Sequence, residues 1–392
     1  MGSSLSTPLS TLPPLRDFIV PTPEAYVILL NVFQYFPLVT TIEWLTSWWP
    51  AGKTSSKQPT LFNLPGRLAW FLMEIVGPLN LLYILTNLAP KLNMATLPLP
   101  NKLVASLYVL HYINRAIISP FFSAPAMSPI HIFVAGSAMI FNWFNSTCLA
   151  AWLVGYNVTT LPGYYPPSPL GDATPEKVLE DSLASTTGTS LLLPGVGLGL
   201  FVLGMVGNIS SERRLHRLRR EAADAKKPKD DDSTVTLTKS DSDSGNKYHK
   251  VYIIPPANGL FSTILYPHYV FEWLEWIGFA LVGTTIFPTL SPPSLIPDVL
   301  STAFSGTTAS IAGTAISGTS PPLRLAPWLI PAVWAAGKLR VPVLPLPAIV
   351  FVVNAVANML PHARWGRKWY VEKFGEERVA GRGAVLPFVS WM

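Results

Sequence analysis

Four groups of polar and ionisable side chains stand inside otherwise apolar stretches of this chain. Glu74 closes the run Arg67-Leu-Ala-Trp-Phe-Leu-Met-Glu74. His111, Tyr112 and Arg115 interrupt a second run, and the i, i+3 spacing of Tyr112 and Arg115 places both on one helix face. Asn208, Glu212 and Arg219, at i, i+4 and i+11, form a stripe leading from an apolar run into a basic one. His268, Glu272 and Glu275 follow at i, i+4 and i+7. A charge in hydrocarbon costs several kcal/mol, so such residues are candidates for chemistry by default. Each also has a plainer reading. Glu74 can pair with Arg115 to join two helices, and the basic run after Asn208 can be a stop signal that attracts anionic lipid. Glu43 reads as an interfacial group, His131 as a span-end residue, and Glu376 and Glu377 as part of a solvated tail.

Several chemistries are excluded by count. The six histidines are isolated, which rules out the clustered ligands of a membrane di-iron site. Cys148 is the single cysteine, so there is no disulfide framework and no zinc site built on paired cysteines. Neither Gly-x-Ser-x-Gly nor a P-loop is present. The run Pro194-Gly-Val-Gly197-Leu-Gly199 has dinucleotide-like glycines, but it lies in an apolar segment with no preceding strand, where close helix packing explains it better.

The elements that must position these residues follow from composition. Of 392 residues, 49% are hydrophobic and only 13% charged, with a mean hydropathy of +0.35; soluble domains carry about 25% charged residues. The chain therefore reads as an all-α, polytopic membrane protein. Apolar stretches near the ~20 residues needed to span a bilayer occur at about 25–46, 67–88, 102–121, 130–156, 189–210, 268–290 and 326–360, the last comprising an interfacial piece and a span at 345–360. Of the 28 Lys and Arg, 11 lie in 210–250 and 6 in 361–392. With seven spans these segments share a side, which the positive-inside rule makes cytosolic, and the N-terminus is then lumenal. The net charge of +6 is thus mainly an orientation signal and not a nucleic-acid footprint. The chain divides into a lumenal segment 1–24, helices 1–5 with the substrate site over 25–220, a disordered cytosolic loop 221–250, and a C-terminal region 251–392 with a low-complexity insert at 291–322. No cleaved signal peptide is expected. The sequon Asn157-Val-Thr159 is a possible glycan site, and Ser240, Ser242 and Ser244 have the acidic neighbours of kinase targets.

A family resemblance rests on five motifs in order. Gly204-Met-Val-Gly207-Asn208-Ile-Ser-Ser-Glu212-Arg-Arg-Leu215-His-Arg-Leu218-Arg219 resembles the Gly-x-x-x-Asn-Ile-x-Ser-Asp-x-x-Leu-x-x-Leu-Arg element of the steroid 5α-reductases. Tyr252-Ile-Ile-Pro255, Gly259-Leu-Phe261 and Tyr266-Pro-His268-Tyr-Val-Phe-Glu272-Trp-Leu-Glu275-Trp276 are similar to its Tyr-x-Ile-Pro, Gly-Leu-Phe and Glu-x-x-Glu-Trp motifs. Trp369-Tyr370 through Phe374, with Pro387-Phe388, resembles its C-terminal ending, and Leu68 to Glu74 with His111-Tyr112-x-x-Arg115 resembles its N-terminal half. Phe141-Asn-Trp-Phe-Asn145 resembles a Phe-Asn-x-x-Asn run. The resemblance covers about 64–290 and 345–390. Glu212 replaces the family's aspartate, and Pro-His268-Tyr also looks like the polyprenol-reductase branch. Gly366 and Arg367 stand near where a histidine is usual.

The resemblance implies a multi-pass endoplasmic-reticulum membrane enzyme that uses NADPH to reduce a carbon–carbon double bond conjugated to a carbonyl. Its lipid substrate would be a 3-oxo-Δ4-steroid-like, polyprenol-derived or enoyl compound, with no metal and no nucleic acid involved. It further implies that Glu74 and Tyr112 hydrogen-bond the substrate carbonyl, and that Arg115, Asn145, Asn208, Glu212, Arg219, Tyr252, His268, Glu272 and Tyr370 line the cofactor site. A phenol backed by a carboxyl in a low-dielectric pocket suits the enolate oxygen that forms when hydride reaches the β-carbon. Rival readings are an isoprenylcysteine-type membrane methyltransferase, whose Arg-His-Pro and Glu-Glu signature is not evident, and a non-enzymatic membrane lipid-binding protein.

Overall fold

Proline decides how the first apolar run breaks. Helix α1 (Pro23–Phe33) starts with proline in its first turn, where the missing N–H is no loss, and Thr22 accepts from Ala25 N at 3.3 Å. Before Pro37 the helix stops, a 3₁₀ turn (Phe36–Leu38) follows, and α2 (Thr40–Leu45) resumes. Two carbonyls freed at this break find side-chain donors, Trp328 Nε1 to Gln34 O and Asn354 Nδ2 to Phe33 O, and the Gln34 side chain accepts from Ala326 N. The computed structural model describes residues 12–45, 62–92, 94, 96–156, 158–159, 192–225, 248, 251–286, 290–291, 323, 325–332 and 344–389. The expectations for Asn157, for Ser240, Ser242 and Ser244, and for nearly all of the 291–322 insert and the 226–250 part of the charged loop lie outside these residues.

A short turn, Arg16–Ile19, precedes α1, and after α2 come α3 (Gly66–Lys91), α4 (Leu99–Tyr112), α5 (Ile132–Leu153), α6 (Leu192–Asp224), α7 (Pro267–Val282), α8 (Leu346–Phe374) and the single turn α9 (Glu376–Val379), with 3₁₀ turns at Gly259–Ser262 and Gly283–Thr285. The strands are two-residue pairs. β1 (Asn63–Leu64) runs antiparallel to β2 (Ile130–His131), and β3 (Val158–Thr159) parallel to β4 (Leu290–Ser291). Five segments are long and apolar enough to cross a membrane among the described residues: Pro23–Leu45, Gly66–Lys91, Ile132–Leu153, Leu192–Asp224 and Leu346–Phe374. The C-terminal span was expected to end at 360, but α8 continues through Pro361 to Phe374. Ala363, Trp365, Arg367 and Tyr370 beyond the proline are buried. Helix α6 carries the Asn208–Glu212–Arg219 stripe on helical backbone, as its spacing implied, and runs to Asp224, past the expected start of the loop at 221.

Helix α4 passes without interruption into a π-helical segment, Ile113–Ser123. Pro120 lies inside it and has no N–H, so in an i→i−5 pattern the Arg115 carbonyl loses its donor. Trp70 Nε1 on α3 supplies the missing bond to Arg115 O at 3.0 Å. At the far end Arg67 caps the segment, its guanidinium donating to Pro120, Phe121, Ala124 and Pro125 carbonyls at 2.8–3.3 Å. Two residues of α3 thus fix a distorted turn at the position of Arg115.

Helices α6 and α7 lie in backbone contact. A Cβ at Gly197 would sit 2.7 Å from Val282 N and 2.8 Å from Gly278 O, while one at Gly204 would overlap Glu275 N and come 2.6 Å from Phe271 O. Gly195 and Gly199 face open space. Of the glycine run, then, only Gly197 serves the close packing expected from small residues. Tyr108, Trp276, Phe279 and Phe351 form an aromatic wall on α4, α7 and α8, with the Trp276 and Phe351 rings 4.4 Å apart.

Candidate functional site

The inner site is a polar network enclosed by the helices. Arg115 Nε lies 3.1 Å from Glu74 Oε1 and its Nη1 3.1 Å from Glu272 Oε2, so one guanidinium joins carboxylates of α3 and α7. Asn208 Nδ2 on α6 reaches the same Glu272 oxygen at 3.4 Å, and Ser119 Oγ donates to Glu212 Oε2 at 3.3 Å. Glu74, Glu272 and Asn208 are buried. Six sequence candidates, Glu74, Tyr112, Arg115, Asn208, Glu212 and Glu272, converge here from five elements: α3, α4, the π segment, α6 and α7.

Tyr112 does not meet Glu74 directly. Its hydroxyl donates to Asn142 Oδ1 at 2.9 Å, and Asn142 Nδ2 donates to Met73 O at 2.6 Å and approaches Glu74 Oε2 at 3.4 Å. The Met73 carbonyl fixes the amide orientation, because only the NH₂ side can face an acceptor. Space for the ring comes from Gly77, where a Cβ would sit 3.4 Å from the Tyr112 ring and 2.7 Å from the Tyr108 hydroxyl. Asn142 was inside a quoted motif yet received no role. The Asn145 side chain lies three residues on, donates to the Tyr108 hydroxyl at 3.3 Å, and belongs to the aromatic wall more than to the Arg115 network. Replacing Asn142 by leucine is expected to strand the Tyr112 hydroxyl, costing about 1–3 kcal/mol. Thermal unfolding of the purified variant in detergent measures this, and an unchanged midpoint would show that the amide carries no load.

Buried atoms with no hydrogen-bond partner gather around this network: Asn208 Oδ1, His111 Nε2, Asn145 Oδ1 and Glu275 Oε2. Buried polar groups are rarely left unsatisfied, and such orphans mark where a ligand or water completes the set. Among the described residues no cluster of His, Cys, Asp and Glu is suited to hold a metal ion.

The other four candidates form an outer group at the charged end of α6. Arg219 Nε donates to Val251 O at 3.2 Å and lies within electrostatic reach of the Tyr252 and Tyr370 phenols. The Tyr252 ring packs edge-on against Trp369 at 4.9 Å, with the Lys373 ammonium 4.7 Å from its centroid. His268 lies between Tyr266 and Tyr269, at 5.7 and 4.6 Å. Burial holds the Tyr266 phenol well above its ordinary range. A cavity of about 450 Å³ opens here, lined by the 252–257 segment, Phe374, Arg378 and Arg382. Arg382 is a structural clip that donates to the carbonyls of Val379, Pro255, Phe261 and Arg378. Arg367, near the place of the family's histidine, donates to Arg382 O and to Glu376 Oε1, both at 2.7 Å. Glu376 is solvent-exposed, as expected, and also pairs with the buried Arg367.

Comparison with known proteins places the chain among membrane reductases. Residues 233–290 match the family model of 3-oxo-5-alpha-steroid 4-dehydrogenase. An uncharacterized protein of Schizosaccharomyces pombe is 31% identical over 242 residues, covering 58% of this chain and 72% of that one. Steroid 5-alpha-reductase DET2 of Arabidopsis thaliana is 24% identical over 369 residues, 93% of this chain and 95% of its own length. Very-long-chain enoyl-CoA reductase of Dictyostelium discoideum is 26% identical over 236 residues, 57% of this chain and 58% of its own.

Proposed function

Because the chain belongs to the 3-oxo-5-alpha-steroid 4-dehydrogenase family of oxidoreductases acting on CH–CH groups, we propose that it uses NADPH to saturate a carbon–carbon double bond conjugated to a carbonyl in a lipid. The observation that carries this reading is the placement of the Tyr112 phenol beside the Glu74–Arg115–Glu272 network within an apolar bundle.

Tyr112 donates to the carbonyl oxygen as enolate charge develops there, an interaction that strengthens in the transition state and so raises turnover. Before substrate arrives the same proton is held by Asn142, which Glu74 and the Met73 carbonyl orient. Glu74, ion-paired with Arg115, thus acts by orienting Asn142 and through it the resting Tyr112 phenol. The aromatic wall keeps water from the developing anion, and the α-carbon takes its proton from water or a relay. When bound, NADPH supplies the hydride to the β-carbon. The residues fit it: the orphaned Asn208 Oδ1 is an acceptor for the carboxamide N–H groups of nicotinamide, and Arg219 offers a cation to phosphate at the other end. Arg115, Asn145, Glu212, Tyr252, His268, Glu272 and Tyr370 complete the proposed cofactor surroundings.

The substrate is a steroid-like, polyprenol-derived or fatty enoyl lipid, a range spanned by relatives named for steroid and for enoyl-CoA reduction. We further propose seven spans, the five long ones together with α4 and its π segment and α7, with the N-terminus lumenal and the C-terminus cytosolic in the endoplasmic reticulum. The domain limits from sequence are proposed with one change, the helical part extending to Asp224 and the loop following it, and with 251–392 as the cofactor-facing C-terminal region.

The test is incubation of membranes containing the protein with NADPH and a panel of steroid enones, polyprenal and enoyl-CoA lipids, followed by mass spectrometry. A product heavier by one H₂ is expected from one class, and no such product from any would sink the reading. Loss of the Arg219 cation in Arg219→Ala should raise the KM for NADPH about tenfold, the size of one charge-assisted hydrogen bond, with kcat little changed. An unaltered KM would remove Arg219 from the phosphate site.

A further inference from the structure

We propose that His111 and Glu275, which the reaction as described does not use, form a positioning dyad that holds Glu272 and Arg115 in place; its catalytic consequence rests on the reductase reading above. His111 Nδ1 lies 2.8 Å from Glu275 Oε1, and Glu275 has no exposed surface. An imidazolium that donates from Nδ1 to a carboxylate has its ring orientation fixed, and its second N–H, at Nε2, then points away from that partner. Here Nε2 has no hydrogen-bond partner and lies 3.9 Å from Glu272 Oε1. Glu272 is thus flanked on two sides: His111 faces Oε1, while Arg115 and Asn208 bond Oε2.

The charge arrangement explains why both partners are needed. Arg115 already serves Glu74 and Glu272, so a third buried carboxylate, Glu275, has no guanidinium left to it. A buried carboxylate without a partner is strongly unfavourable, and His111 is the group that meets it. The ring is clamped by Trp276 at 4.4 Å and by Tyr112, edge-on, at 5.2 Å. His111 directly precedes Tyr112 in the last turn of α4, immediately before the π segment that carries Arg115. Fixing His111 therefore fixes the rotation of the turn from which Tyr112 and Arg115 both project. The charged and titratable groups around the imidazole are Glu272 and Glu275 from α7, Arg115 from the π segment, Tyr112 from α4 and, farther off, Glu212 from α6.

The experiment uses the full-length protein in phospholipid nanodiscs with ¹⁵N-labelled arginine. The Arg115 Nε–H resonance is assigned by its absence from Arg115→Lys. His111→Gln and Glu275→Gln approach the dyad from its two sides, so either variant that folds decides the matter. In both, the Arg115 resonance is expected to shift or broaden, and kcat to fall about tenfold to a hundredfold, the usual effect of losing a second-layer partner, with the KM for NADPH nearly unchanged. Glu275→Asp, which keeps the charge, should recover the resonance and most of the turnover. The two glutamine changes combined should cost little more than one alone, because the pair acts as a unit. Leu88→Ala, a buried position near the far end of α3 from Glu74, is the packing control and should lower the melting temperature without moving the Arg115 signal. An Arg115 resonance indifferent to both glutamine variants overturns the dyad, as does a raised KM with kcat intact. If the wild type reduces no substrate while the Arg115 signal still answers to Glu275→Gln, the reductase reading fails and the dyad's hold on Arg115 stands.

Discussion

Tyr112→Phe is expected to lower kcat by about 10²–10³-fold, the loss typical of removing one donor from a developing oxyanion, while NADPH still binds. The ring stays, packed against Tyr108 at 4.6 Å and Trp276 at 6.4 Å, so the change deletes one proton donor and little else. Glu74→Gln should cost less. Asn142 remains anchored to the Met73 carbonyl and still orients the phenol, and Arg115 keeps Glu272. The order of the two effects is what separates this arrangement from one in which Glu74 itself donates to the carbonyl, where Glu74→Gln would be at least as damaging. Steady-state kinetics on the substrate identified from the panel, with NADPH binding followed by fluorescence, measures both. Full activity in Tyr112→Phe would remove the carbonyl-polarising role.

The second large effect is expected at the α6–α7 contact. Gly204→Val should disrupt the site although residue 204 makes no polar contact in it. Its Cβ would overlap Glu275 N and come 2.7 Å from Glu275 Cα, so the helices must separate. Overpacking of this kind costs about 1–3 kcal/mol. The separation moves Glu272 and Glu275 away from Arg115, His111 and Asn208, and a displacement of about 1 Å can cost 10²-fold in turnover. Gly195→Ala and Gly199→Ala, whose Cβ positions face open space, are the controls. They should leave melting temperature and activity unchanged or slightly improved, since alanine is the better helix former. Equal sensitivity at Gly195 and Gly204 would show that close backbone approach is not what places the α7 carboxylates.

Much of the site's membership was legible because the signal is local. A carboxyl or guanidinium in an apolar run is conspicuous whatever surrounds it, and Glu74, Arg115, Asn208 and Glu272 all announce themselves this way. Asn142 shows where that signal stops. It lies three residues from Asn145 in the same motif, and which of the two faces Tyr112 depends on the rotation of α5 against α3 and α4. His111 and Glu275 were visible as polar residues, but their pairing spans 164 positions of sequence. Pro120 could be read as a helix breaker; that the chain would answer with a π segment depended on Trp70 and Arg67 standing on α3 to take up the freed carbonyls. The end of α8 was misplaced for a similar reason. The limit of 360 marks where the apolar run ends, whereas burial against the C-terminal loop and the Arg367 bonds carry the helix to Phe374.

The sequence by itself determined the solvent this protein is built for and which side chains are too costly there to be idle, because transfer free energies add residue by residue. It did not determine who pairs with whom. Arg115 meets Glu74 across 41 positions and Glu272 across 157, and no spacing rule within one helix reaches that far. Those pairings were decided by helix rotation, by the distorted turn at Arg115 and by glycines that let α6 and α7 touch. Only tertiary structure brings these together, since each is set by packing against elements that a local pattern cannot see.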